Sequence, residues 1–244
     1  MELSVVIPFY NEEDSAPALL AELRTVLDGQ HIAYEVIAVN DGSRDSTEAV
    51  LAGLAAGWPQ LRCYSFVKNQ GQSAGLMFGF LRARGQIIVT IDGDGQNDPA
   101  DIREMVKHLG EGWDMVIGKR VKRQDSGLRK RMSQLANFVR GCLLHDKITD
   151  SGCALKVFRR NVVESFIPIC TLYSFIPVLA MTAGYKVDIV PVNHRPRIAG
   201  KSHYGLRIML WRPLLDLLGV LWFIHRRYAA VSKIAYTGLE KENV

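Results

Sequence analysis

The chain holds only four cysteines in 244 residues, Cys63, Cys142, Cys153 and Cys170, and none of them falls in a C-x-x-C spacing or beside paired histidines. That excludes a recognisable zinc site and a disulfide framework, so reduced thiols are expected. There is no G-x-G-x-x-G fingerprint and no G-x-x-x-x-G-K-[ST] loop, which removes the main support for a dinucleotide dehydrogenase or a P-loop protein. No cationic region followed by an apolar stretch and a cleavage site precedes the first strand, so no secretory leader is expected and a cytoplasmic location follows. Long apolar runs are also missing. The best, from Leu206 to Ile224, is interrupted by Arg207, Arg212, Pro213 and Asp216. It is expected to be an amphipathic helix lying on a membrane or packing on a partner, a second copy or a membrane protein, rather than crossing a bilayer. Trp211, Trp222 and the cluster His225, Arg226, Arg227 suit an anionic membrane surface. The net charge is a modest +5, and the basic residues lack interleaved aromatics, so a nucleic-acid-binding module is the least favoured class.

What is present is organised around residues 87 to 99. A run rich in β-branched residues, Ile87 to Ile91, stops at Asp92-Gly93-Asp94-Gly95-Gln96. A buried strand is expected to deliver Asp92 and Asp94 at its carboxyl end, where open α/β sheets bind ligands. Two adjacent carboxylates repel each other unless a cation lies between them, and hard oxygen ligands suit Mg²⁺ or Mn²⁺. Gln96 is a candidate third ligand. Such a cation keeps positions open for diphosphate oxygens, whereas the plainer alternative is a turn with solvated acids.

The rest of the chain alternates. Strands are expected over 3–9, with Pro8 turning the backbone out of the ladder, and over 34–39, 61–67 and 113–118. Helices are expected over 16–27, after the capping turn 40–47, from 72 to 84, and from Pro99 to Leu109 with Asp98 as cap. Gly71, Gly75 and Gly79 lie along one side of the third helix and allow close approach to the sheet. The sum is an α/β fold with a mostly parallel, doubly wound sheet flanked by helices.

After Gly118 the composition changes. Lys119, Arg120, Lys122, Arg123, Arg129, Lys130 and Arg131 face one acid, Asp125, which makes a cationic arm within reach of an anionic ligand, or else a solvated linker. A helix over 133–144, a turn and short strand over 149–160 carrying Asp150, a helix over 174–183 and a strand over 186–192 follow. The loop containing Lys201 and Ser202 suits a phosphate contact. The expected division is 1–205 as the catalytic domain, with 1–119 binding the donor and 120–205 the acceptor. The apolar segment spans 206–228, and a polar tail 229–244.

Five motifs in order resemble the inverting family-2 glycosyltransferases of GT-A fold, and among them the polyprenyl-phosphate glycosyltransferases similar to dolichol-phosphate mannose synthase. They are Val-Ile-Pro-Phe-Tyr-Asn-Glu-Glu at 6 to 13, Asn-Asp-Gly-Ser-Arg-Asp-Ser-Thr at 40 to 47, Asn-x-Gly at 69 to 71, Asp-Gly-Asp-Gly-Gln-Asn-Asp-Pro at 92 to 99 and Gly-Lys-Ser-x-Tyr at 200 to 204. The resemblance implies that Pro8, Tyr10, Glu12 and Asp41 border the nucleotide, that Asp92, Asp94 and Gln96 hold the metal, and that Arg120, Arg129, Arg131, Lys201 and Ser202 attend phosphates. It implies a nucleotide-sugar donor and a polyprenyl-phosphate acceptor. Asn40 stands where the family often has aspartate, which leaves the base open.

The chemistry favours the same acceptor. A phosphate monoester is already anionic at neutral pH and needs no strong general base, so the task is to hold two anions together, which a cation held by Asp94 and a basic arm with Arg120 and Arg131 supply. A saccharide or lipid A hydroxyl would need a positioned base, for which Asp150 and Asp98 are the candidates.

Overall fold

The computed structural model describes residues 1–121, 140–141, 143–144, 148, 150–197 and 206–227, with backbone alone for 206–214. Among these, seven strands form one sheet: β1 (Leu3–Phe9), β2 (Tyr34–Asn40), β3 (Leu61–Ser65), β4 (Ile87–Thr90), β5 (Met115–Arg120), β6 (Lys156–Arg159) and β7 (Val187–Val192). The order is β3-β2-β1-β4-β6-β5-β7, and β6 alone runs antiparallel to its neighbours. Helices α1 (Ala16–Asp28), α2 (Thr47–Ala56), α3 (Gln72–Arg82), α4 (Asp101–Leu109), α5 (Leu172–Thr182) and α6 (Leu206–Arg226) flank it.

Alternation along β1 builds two cores. Leu3, Val5, Ile7 and Phe9 face one side and pack with Leu20 and Leu23 of α1, Leu51 of α2 and Met105 of α4. Val6 faces the other, with Leu76 and Phe80 of α3, Phe175 and Leu179 of α5, and Leu217 and Val220 of α6. From β1 the chain goes outward to β2 and β3, then returns to place β4 on the opposite side. The carboxyl ends of β1 and β4 therefore border the crevice where strand order reverses, the usual ligand position in such sheets.

Four expectations need correcting. Pro8 does not leave the ladder: it pairs in register with Val39. Val6 O accepts the Ile91 N–H, and Pro8 faces the same side beyond the last β1–β4 pair, Val6 with Thr90, so its missing N–H leaves no ladder bond unmade. The third strand stops at Ser65, and Val67 is fully exposed. The fifth strand continues to Arg120 because β7 pairs along it up to Val192, so the cationic arm begins inside the sheet. Only Gly75 and Gly79 serve close approach. A Cβ at Gly79 would lie 2.2 Å from Val6 Cγ1 and one at Gly75 3.3 Å from Pro8 Cβ, while Gly71 has open space and a φ of +95° at the start of α3.

These contacts set a stability test. Gly79→Val is expected to destabilise by about 2 kcal/mol or more, at the upper end of overpacking costs. Gly53→Ala, where a Cβ meets nothing within 4 Å in α2, should stabilise by roughly 0.5–1 kcal/mol through helix propensity. Urea unfolding of both variants checks the pair.

Candidate functional site

Asp92 and Asp94 stand on the loop that leaves β4, and Gly93 between them has no room for a side chain. A Cβ there would lie 2.5 Å from Phe9 Cδ1 and 3.0 Å from Pro8 O. Ser15 Oγ donates to Gly93 O at 2.8 Å, so α1, β1 and the acidic loop are packed as one unit. Asp92 accepts from Gln72 Nε2 at 2.6 Å. Asp94 is buried; its Oδ1 accepts the Gln96 N–H at 3.0 Å and its Oδ2 meets Arg197 Nη2 at 2.9 Å. Burial first, and then the neighbouring Asp94 charge, push the Asp92 carboxyl up to about 7, although Lys156, Arg120 and Arg197 act in the opposite direction.

That raised carboxyl is what a hard divalent cation would reverse, because a positive charge between the two acids favours both ionised forms. The residues present fit such a group: Asp92 and Asp94 offer adjacent oxygens. Gln96 is pinned beside them, its N–H on Asp94 and its carbonyl accepting the Arg195 N–H at 2.9 Å.

Behind the pair lies a cavity of about 270 Å³ lined by Gln72 and Leu76 of α3, Thr90, Asp92, Arg120, Gly152, Ala154, Lys156 and Tyr173. Two of its lining residues, Arg120 and Lys156, are cationic. Asp150 grips Arg120 through Nε at 2.9 Å, Nη2 at 2.7 Å and the backbone N–H at 3.1 Å, which aligns the guanidinium fork. Lys156 pairs in register with Thr90 and is fully buried; it donates to Cys153 O, and burial lowers its pKa. The expected strand over 149–160 thus contributes a lysine to the site rather than only a turn acid.

The other expected residues divide. Glu12 reaches the acidic loop through Arg197, whose Nη1 lies 3.0 Å from Glu12 Oε1. Tyr10 is half-buried at the same rim, after β1. Asp41 does not present a free carboxylate: its oxygens accept from Gln70 N at 2.6 Å, Gly71 N at 2.8 Å and Asn69 Nδ2 at 2.8 Å, clamping the turn into α3. Burial raises its pKa, and those bonds partly counter the rise. Asn40 similarly holds its own turn, accepting the Ser43 N–H at 3.1 Å. Asp98 is taken by Arg195 Nη2 at 2.8 Å and the Ala100 N–H at 3.0 Å. Arg129, Arg131, Lys201 and Ser202 lie outside the described residues.

Sequence reasoning missed Gln72, Lys156, Tyr173 and Arg197. A lysine inside the apolar run Leu155 to Phe158, and two arginines two residues apart directly after a strand, were the available signals.

Comparison with known proteins shows the family and the fold. The family model described as "Glycosyl transferase family 2" matches residues 4–166. The chain is similar to an undecaprenyl-phosphate 4-deoxy-4-formamido-L-arabinose transferase of Aeromonas hydrophila, 38% identical over 205 residues, covering 84% of this chain and 63% of that protein. A protein of the same name from Sodalis glossinidius is 35% identical over 240 residues, covering 97% and 73%. This chain thus spans under two thirds of the Aeromonas protein and nearly three quarters of the Sodalis one. Among solved structures, glucosyl-3-phosphoglycerate synthase from Mycobacterium tuberculosis, in complex with Mn²⁺, uridine-diphosphate-glucose and phosphoglyceric acid, superposes with a TM-score of 0.69 at 21% identity, over 90% of this chain and 79% of that one.

Proposed function

Since the chain belongs to glycosyltransferase family 2 and has the GT-A fold, we propose that it transfers a sugar, with inversion, from a nucleoside-diphosphate sugar to a membrane polyprenyl phosphate. The observation that carries this reading is that Asp92, two residues from the buried Asp94, lines one cavity together with Arg120 and Lys156. Asp92 and Asp94, with Gln96 in support, would hold a divalent cation, which would supply charge neutralisation for a departing diphosphate. Pro8, Tyr10, Glu12 and the Asp41-clamped turn form the rim against which the nucleotide is held. Arg120, aimed by Asp150, steadies the acceptor phosphate as one of its oxygens attacks the anomeric carbon and the sugar's bond to the diphosphate breaks. Arg129, Arg131, Lys201 and Ser202 are assigned to the same phosphates on sequence grounds. In this scheme residues 1–119 serve the donor and 120–205 the acceptor.

The names of the relatives, which are transferases acting with undecaprenyl phosphate, support that acceptor. So does the engagement of both candidate bases. Asp150 is committed to Arg120, and Asp98 to Arg195, which disfavours the hydroxyl-acceptor alternative. The test is incubation with a panel of nucleotide sugars and short polyprenyl phosphates, followed by mass analysis of the lipid product. Glycosylation of a saccharide or lipid A hydroxyl, with none of the lipid phosphate, would overturn the reading.

Among the described residues no helix is long and apolar enough to cross a membrane. On α6, Leu217 and Val220 are buried against the body, whereas Leu215, Leu218 and Trp222 are exposed on another stripe. We assign that stripe to the inner surface of the cell membrane, with Arg226 nearby for anionic headgroups. Flotation with anionic liposomes is expected, reversed by high salt. Leu218→Glu with Trp222→Glu should abolish it at unchanged melting temperature. Flotation of the double variant equal to the parent would remove the stripe from membrane contact.

A further inference from the structure

One of the two acids, Asp94, is already in contact with a cation that belongs to the chain. Arg197 places Nη2 at 2.9 Å from Asp94 Oδ2 and Nη1 at 3.0 Å from Glu12 Oε1, and its side chain is only 27% exposed against 9% for Asp94 and 11% for Glu12. It belongs to a strap, 193–197, that contacts the acidic loop. Asn193 is held by Asp101 at 2.7 and 3.0 Å, His194 bridges Asn97, and Arg195 spans Glu22 and Asp98. Three anchors before it leave the Arg197 fork little freedom to wander, so its contact with Asp94 is built in by the strap.

We propose that Arg197 is a resident counter-ion that makes cation binding depend on the nucleotide. The inference rests on the donor reading above and concerns the same acids. A free divalent cation approaching Asp94 Oδ2 meets a guanidinium within a few ångströms, and that repulsion weakens binding of the ion alone. A diphosphate changes the balance, because its oxygens coordinate the ion and accept from the guanidinium at once, so Arg197 moves from competitor to partner without leaving the site. Binding of cation and diphosphate is therefore mutually reinforcing, and by linkage each tightens the other by the same factor. The use of this is selectivity: free cation does not lock the acids, and free nucleotide does not hold without its ion.

The experiment is calorimetric titration of Mn²⁺ into the full chain, alone and with uridine, guanosine, cytidine, adenosine and thymidine diphosphates in turn. Nucleotide affinity is measured with and without Mn²⁺. The parent is expected to bind Mn²⁺ weakly alone and much more tightly with at least one diphosphate. Arg197→Gln should bind Mn²⁺ alone roughly tenfold to a hundredfold more tightly, the scale of one charge-assisted contact, while the enhancement by nucleotide shrinks. Arg197→Lys should keep part of the parent's weak binding, and Arg24→Gln, which alters an exposed guanidinium paired with Asp28 on α1 and outside the strap, should leave Mn²⁺ affinity unchanged. Unchanged or weaker Mn²⁺ binding in Arg197→Gln, with nucleotide coupling intact, would overturn the counter-ion role and leave the donor reading standing. Absence of Mn²⁺ binding by the parent with every diphosphate would overturn the donor reading and the inference with it.

Discussion

Asp94→Asn is expected to abolish nearly all transfer while the protein stays folded. The substitution keeps shape and an oxygen able to accept the Gln96 N–H, but removes the charge that Asp94 brings to the metal pair. Metal-assisted stabilisation of a leaving group supplies several kcal/mol, so the rate should fall by roughly a hundredfold or more. Gln96→Ala should be milder, since a neutral amide adds coordination without charge, and chelation of divalent ions should stop the parent. Single-turnover rates and thermal unfolding of each variant, at matched metal concentration, decide the matter. Parental turnover in Asp94→Asn, or full activity after metal removal, would withdraw the metal assignment from these acids.

The second large effect is expected at the Arg120–Asp150 pair, where the guanidinium and carboxylate side chains are 15% and 7% exposed. Arg120→Lys keeps a positive charge but cannot reproduce the Nε and Nη2 contacts, so acceptor efficiency should drop by about tenfold to a hundredfold. Asp150→Ala leaves a largely buried guanidinium without its holder. It should cost about 3 kcal/mol of stability and lose acceptor efficiency by a similar factor. Donor affinity should move little in both. If Asp150 were instead a general base, Asp150→Asn would retain stability and flatten the rise of rate with pH, and that outcome would revive a hydroxyl acceptor.

The elements up to residue 118 were legible in kind, though not at the ends of β3 and β5, because each signal was local. Apolar runs of strand length end at Asn40-Asp41-Gly42 and at Asp92-Gly93-Asp94, and the apolar spacing of α1 and α4 is helical. The acidic pair was legible for the same reason: one strand and one turn supply it. Partnerships across long separations were not. Nothing near Asp41 announces that its oxygens belong to residues 69–71, and nothing near Arg197 says that Glu12, 185 positions earlier, will meet its fork. Strand direction was equally silent, since the four residues of β6 pair with β4 and β5 through backbone groups that every residue carries.

The place of β6 has a bearing on biosynthesis. β4 and β5 are neighbours in sequence but do not bond to each other; β6 bridges them only after an excursion of more than thirty residues. As the chain leaves the ribosome, the four-stranded unit from β3 to β4 can assemble from short-range crossovers while β4 keeps an open edge. That edge closes once residue 159 has emerged, and the closing strand is the one that brings Lys156 opposite Thr90. A nascent chain stalled before this point would present an unpaired strand to other proteins, and it would carry the two aspartates without the lysine behind them.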